Sequence, residues 1–398
     1  MLRRQMGNNG VHEPTNELRF VNRFDQLDAL RGIAATIVVL GHLYIAWADD
    51  VDHWVFKSPI SPYITGPLCV ILFFVLSGFV LSLPSISGKS LRYDAYLVRR
   101  FCRLYIPYAV AVAISAISWY FLGALAEESK SPAVYHSWAT QISGGDVIRH
   151  FLMVGWPASA FQLNSPIWSL IIEMRASILF PLLILFVART GWFSVVAATA
   201  LTLVAIYAKV SINDQPGVSA ETALGSVLMT LRYLGFFVFG IACALKMQQI
   251  QSLLKRMHAI IHLGNIVAFG VGLAILAYGN RYNTLVNDIY YGVFSAYLIC
   301  LSVTYKRVGF LLAAPLFIWL GNISFSLYLV HWPVMCTVVL LLEHRVGLGT
   351  AVLTALPLTF VAGAVMERWV ERPSHEASKR LSRAVASAAG RVRLPLNK

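Results

Sequence analysis

Apolar runs of membrane-spanning length recur along this chain, and they leave it few ways to fold. They fall near residues 30–48, 63–83, 104–125, 167–188, 192–210, 224–245, 259–279, 286–304, 311–342 and 349–370. Most approach the ~20 residues that a helix needs to cross a hydrocarbon layer of about 30 Å. A span in hydrocarbon must satisfy its own backbone polar groups, which makes each run a helix. The sequence therefore predicts an all-α, polytopic membrane bundle of about ten transmembrane helices. Composition agrees, since 58% of the 398 residues are hydrophobic and 13% are charged, against about 25% charged in soluble domains.

The net charge of +13 would suggest a nucleic-acid partner in a soluble protein. Here the basic residues alternate with the spans, so the charge reads as orientation plus attraction to anionic lipid, and no nucleic acid is expected. With the N-terminus inside, cytoplasmic segments receive Arg3, Arg4, Arg19, Arg23, then Lys89, Arg92, Arg99, Arg100 and Arg103, then Arg189, Lys246, Lys255, Arg256, Lys306, Arg307 and the residues from Arg368 onward. Outer loops receive mainly Lys57, Lys130, Arg149, Arg281 and Arg345, beside Asp49, Asp50, Asp52, Glu127 and Glu128. Both termini are thus expected in the cytoplasm.

The expected division is a tail at 1–23, a membrane domain at 24–373 and a basic tail at 374–398, helical or disordered. The longest loop, about 126–165, holds a short apolar stretch, Val147 to Trp156, suited to a re-entrant or interfacial segment. The first apolar run begins late and is long, which reads as a retained span rather than a cleaved signal. The five cysteines form no CxxC and no Cys/His cluster, so neither a disulfide framework nor a metal site is expected.

Polar groups inside apolar runs are costly and tend to mark sites. Arg31 lies at the mouth of the first run and His42 within it, 11 positions on. On a helix that is nearly three turns, one face, with about 16 Å along the axis. Arg99, Arg100 and Arg103 crowd the inner end of the third run; they read either as topology signals or as a phosphate clamp, because the guanidinium fork suits phosphate oxygens. In the fourth run Ser169 and Glu173 are one turn apart, Arg175 follows, and Trp168 reads as an interfacial aromatic. Asn322, Ser324, Ser326, Tyr328 and His331 give the ninth run a polar middle, suited to interhelical hydrogen bonds, with His331 a second candidate base.

The ordered segments LDALRGIAATIVVLGH, FFVLSGFVL, RRFCR, WSLIIE followed by FP, GNISFSLYLVHWP and ERWVERP resemble the integral membrane acyltransferase-3 family over about Phe24 to Pro373. That family O-acylates cell-surface glycans, lipopolysaccharide, peptidoglycan, Nod factors and some macrolides. The resemblance implies activity roles for Arg31 and His42, matches the family's RxxR element to Arg100 and Arg103, and matches its WSLxxEE pattern to Trp168, Ser169, Leu170 and Glu173. The second Glu is Met174 here, and the usual Gln and aromatic pair are Arg175, Ala176 and Ser177.

The expected activity is transfer of an acyl group, acetyl first, from cytoplasmic acyl-CoA to a hydroxyl of a glycan or glycolipid such as an O-antigen or exopolysaccharide. The expected setting is the bacterial inner membrane. Catalysis falls to His42, Arg31 and Glu173, with His42 either base or acyl carrier; donor binding falls to Arg99, Arg100 and Arg103. Ser169, Trp168, Tyr328 and His331 are candidates for the acceptor side or a second base. No bound cofactor or metal is expected. Some relatives carry a fused extracytoplasmic esterase-like domain that receives the acyl group; none is expected after Pro373, so the chain acts alone or hands its acyl group to a separate extracytoplasmic protein. The rivals are a proton-coupled secondary transporter, against which no internal repeat with paired broken helices is visible, and a sensor or scaffold whose polar groups only pack helices.

Overall fold

The computed structural model describes residues 25–48, 66–86, 92–139, 142–153, 163–213, 223–279 and 284–388. The 1–23 tail, the acidic residues Asp49, Asp50 and Asp52, Lys57, Lys89, Arg281, the end of the Val147 to Trp156 stretch and residues 389–398 lie outside these. Every regular element among the described residues is helical. In chain order they are α1 (Asp25–Trp47), α2 (Pro67–Ile86), α3 (Tyr93–Leu122), α4 (Pro132–Trp138), α5 (Gly144–Phe151), α6 (Trp168–Thr190), α7 (Phe193–Asn213), α8 (Ala223–Leu245), α9 (Met247–Arg256), α10 (Ala259–Gly279), α11 (Thr284–Thr304), α12 (Lys306–Leu312), α13 (Pro315–Val346), α14 (Leu348–Met366) and α15 (Arg372–Ala388).

Eight stretches among the described residues are long and apolar enough to cross a membrane, built on α1, α2, α3, α6, α8, α11, α13 and α14. The apolar helices α7 and α10 occupy the two remaining positions expected for spans. Large apolar side chains face outward, among them Ile260, Tyr120 and Leu353, as hydrocarbon surroundings allow and water does not.

Glycine decides where these helices meet. A Cβ on Gly32 of α1 would collide with the backbone of Leu320 and Gly321 of α13, and one on Gly321 would collide with Asp28. The two backbones touch there, as small residues permit in membranes, where apolar burial alone does not drive helices together. Gly78 of α2 and Gly240 of α8 make the same kind of crossing against Phe237 and Val75. Around the second crossing Phe74, Phe180, Phe236 and Phe237 fill one core; around α1, α13 and α14, Val39, Trp332, Met335 and Val339 fill another, capped by Trp138 of α4.

Residues Glu367–Glu371 form a π turn between α14 and α15, an irregularity often found at functional sites. Beyond it α15 runs back along α3 on a stripe of buried serines, Ser374, Ser378 and Ser382. Ser374 donates to the carbonyl of Cys102 at 2.7 Å, Arg99 reaches Ser382 at 3.4 Å, and Arg92 donates to the carbonyl of Ala386. The basic segment is therefore helix as far as residue 388, held to the third span by small residues at i+4 spacing.

Candidate active site

Helices α1, α2, α3, α6 and α13 and the π turn enclose a cavity of about 130 Å³. That is room for a few waters or the end of a thin arm, against the ~30 Å³ that one water occupies in the liquid. Six of its lining residues are ionisable in fixed-charge form: Asp28, Glu173 and Glu371 face Arg31, Arg100 and Arg103. Tyr328, Ser169, Asn322, Ser77 and Phe73 complete the wall that matters for chemistry.

Two of the three arginines are paired with wall carboxylates. Arg31 pairs with Asp28 at 3.2 Å, a turn earlier on its own helix. Arg100 donates through Nη2 to Glu173 Oε1 and through Nε to Ser177 Oγ at 2.9 Å. Ser77 Oγ donates to the same Glu173 oxygen at 2.9 Å. Glu371 accepts from Ser326 Oγ at 2.6 Å, and Arg103 shares the cavity wall with it but makes neither an ion pair nor a hydrogen bond among the described residues. Ions brought out of water need this kind of pairing. The formal charges of the wall sum to zero.

The Arg175 side chain does not pair with Glu173. It turns to α8, donating to Ser226 Oγ and Thr230 Oγ1, both at 2.8 Å. The cation beside Glu173 is Arg100, from a helix 73 residues away in sequence.

His42 and His331 lie beyond Tyr328 and do not line the cavity. The Tyr328 and His331 rings are 5.7 Å apart, and His331 and His42 are 5.0 Å apart. Nε2 of His331 lies 3.2 Å from Nδ1 of His42. Nδ1 of His331 lies 3.2 Å from the Leu327 carbonyl, and Nδ1 of His42 lies 3.0 Å from the Val38 carbonyl. A carbonyl oxygen only accepts, so in the neutral rings both Nδ1 atoms carry the hydrogen. Assigned in this way, the unprotonated Nε2 of His331 accepts from His42, and the remaining lone pair of His42 is on Nε2. That atom has no hydrogen-bond partner among the described residues.

Tyr328 links the two regions. Its hydroxyl donates to the Pro166 carbonyl at 2.8 Å and accepts from Ser169 Oγ at 2.7 Å, which fixes the ring between the cavity and the imidazoles.

Of the residues singled out from sequence, the cavity gathers Arg31, Arg100, Arg103, Ser169, Glu173, Asn322, Ser324 and Tyr328. Arg99 is elsewhere, exposed beside α15. Trp168 packs on Tyr233, with ring centroids 5.1 Å apart, and is outside the cavity wall. Asp28, Ser77 and Glu371 were missed as site residues. The two acids of ERWVERP and the aspartate one turn before Arg31 were the available signals for Glu371 and Asp28; a serine in an apolar run gave none for Ser77.

Residues 24–368 match the family model described as Acyltransferase domain. Over 332 residues the chain is 23% identical to "Putative peptidoglycan O-acetyltransferase YrhL" of Bacillus subtilis (strain 168), covering 78% of this chain and 48% of that one. Over 110 residues it is 38% identical to "Protein 2 in picA locus" of Rhizobium radiobacter, covering 25% of this chain and 50% of that one. The chain thus spans about half the length of these curated relatives. No solved structure matches it. The matched span contains the imidazole pair and every charged residue of the cavity wall except Glu371, and on that footing the chain belongs to the acyltransferase-3 family of integral membrane proteins.

Proposed function

We propose that this chain is an O-acyltransferase of the bacterial inner membrane, moving an acyl group, acetyl first, from cytoplasmic acyl-CoA to a hydroxyl of an envelope or exported glycan. The observation that carries the reading is the uncommitted lone pair on His42 Nε2, on a chain of rings that runs from a polar cavity through Tyr328 and His331 to His42. The O-acetylation in the printed name of the Bacillus subtilis relative supports acetyl as the group and a glycan as the class of acceptor.

In this reading His42 Nε2 takes the proton of the acceptor hydroxyl as its oxygen attacks the thioester carbonyl. The carbon–sulfur bond breaks, and the departing thiolate takes the proton back from the imidazolium. In this reading the arginines of the cavity wall lie along the donor's path, and the reacting carbonyl is brought past Tyr328 to His42. Glu173 keeps the Arg100 fork oriented. A variant of the same chemistry has Nε2 attack the thioester itself and pass the group on as an acyl carrier.

The test is direct. Membranes containing the wild-type chain, given acetyl-CoA labelled in the acetyl group, should transfer label to one envelope glycan fraction without any ion gradient. His42→Ala should lose that label while keeping its size-exclusion profile. Wild-type labelling by His42→Ala, or no labelling by the wild type except under a gradient, sinks the reading.

A further inference from the structure

The cavity wall bears on what part of a donor can enter it. Its three guanidiniums face three carboxylates, and its volume of about 130 Å³ is far below the ~300 Å³ at which drug-sized pockets begin. A group carrying several phosphate charges would have to displace the acids or strand them, and an unpaired buried charge is strongly unfavourable. A slim, uncharged thioester arm meets neither obstacle. The phosphates of such a donor therefore belong outside.

Two helix faces lead out of this cavity. On α3, Arg103 lines the wall and Arg99, one turn nearer the start of the helix, is exposed. On the other side Glu371 lines the wall and α15 continues from it. Along α15, Lys379 and Arg383 each follow one residue after a serine buried against α3, and both are exposed. Their i+4 spacing puts them in one stripe beside the seam. Arg99 reaches into that seam, with Nε and Nη2 at 3.4 Å from Ser382 Oγ. None of the three has an ion-pair partner among the described residues, in contrast to Arg31 and Arg100 within the wall. The rise from Glu371 to Lys379 is about 12 Å and to Arg383 about 18 Å, distances that an extended pantetheine arm covers.

We propose that Arg99, Lys379 and Arg383 form the phosphate-binding rim for the donor, so that the cavity receives only the acyl-bearing arm. The proposal rests on the acyltransferase reading and adds to it where the charged head of the donor is held. Because the three cations are exposed, each contact is weak and screened by salt; the rim acts as a set.

The experiment measures equilibrium binding of coenzyme A, and of pantetheine as the phosphate-free probe, to the full chain in nanodiscs of phosphatidylcholine. The Lys379→Gln, Arg383→Gln double variant should raise Kd for coenzyme A about tenfold and leave Kd for pantetheine unchanged. Raising salt should weaken coenzyme A binding to the wild type and much less to the variant. Adding Lys379→Arg alone should keep most of the affinity. An unchanged coenzyme A Kd in the double variant overturns the rim, as does an equal loss for both probes, which would mark a disturbed fold. An unchanged Kd accompanied by lost retention on phosphatidylglycerol vesicles makes this flank a lipid-headgroup surface instead and also overturns it. If the wild type binds neither probe, the coenzyme A part of the functional reading falls together with the rim; if it binds both equally well, the rim falls alone.

Discussion

Nε2 of His331 lies 3.2 Å from Nδ1 of His42, so both partners of the His42 ring sit on one nitrogen and leave the other without one among the described residues. With Nδ1 of His42 also held to the Val38 carbonyl, the ring cannot present its Nδ1 lone pair without losing both partners. On the proposed reading, the first imidazole is a base whose direction is set by its two partners, the second imidazole and the Val38 carbonyl.

The first expectation concerns His42 itself. His42→Ala should lower transfer by about 10²- to 10⁴-fold, the usual worth of general acid–base catalysis, with coenzyme A binding retained. Wild-type transfer should also decline as pH falls, because a protonated imidazole has no lone pair to offer. A pH–rate profile that is flat through the acidic range would remove the imidazole from the chemistry.

His331 should behave as a positioning residue. His331→Gln keeps an acceptor oxygen within reach of His42 Nδ1 and should retain a substantial part of the activity, whereas His331→Leu should lower kcat with little change in KM. Equal activity of the two variants would mean that the contact does not orient His42. Loss of all transfer in His331→Gln together with full transfer in His42→Ala would exchange the roles.

The buried pair at the cavity predicts an asymmetry in stability. Arg100→Ala strands Glu173 and should destabilise by about 3–5 kcal/mol, while the isosteric Glu173→Gln leaves Arg100 without a counter-charge but with an acceptor oxygen for it and for Ser77, and should cost less. Thermal unfolding in detergent reads both. Activity should fall in Glu173→Gln, since the neutral amide keeps the oxygen but loses the charge that holds the Arg100 fork; wild-type turnover in that variant would leave the pair a purely structural feature.

Helix crossing gives a fourth. Gly321→Val places a branched side chain against the Asp28 backbone and should cost roughly 1–3 kcal/mol or more in overpacking. Gly264, whose Cβ would meet nothing within 4 Å, is the matched control, and Gly264→Ala should leave unfolding unchanged.

Much of the bundle could be read from hydropathy alone, because a helix in hydrocarbon answers only to its own length and its backbone. The site was legible where an ionisable group interrupts such a run: Arg31, Arg100, Arg103 and Glu173 all reach the same cavity. What the sequence hid was pairing. Arg175 is two residues from Glu173 and looks like its partner, yet two residues on a helix point to different sides, and Arg100 takes that place. Arg99 adjoins Arg100 in sequence and faces another surface for the same reason. The contact between His42 and His331 spans 289 positions, and nothing local in either segment could announce it.

The crossing of Gly32 with Gly321 has a consequence for admission. Two backbones in direct contact form a wall with no side chain to swing aside, so α1 and α13 make a fixed doorpost. The facing boundary consists of side chains, Arg100 with Glu173 and Arg103 near Glu371. Widening the cavity on the first side would therefore mean separating helix backbones, and on the second only parting side-chain ions.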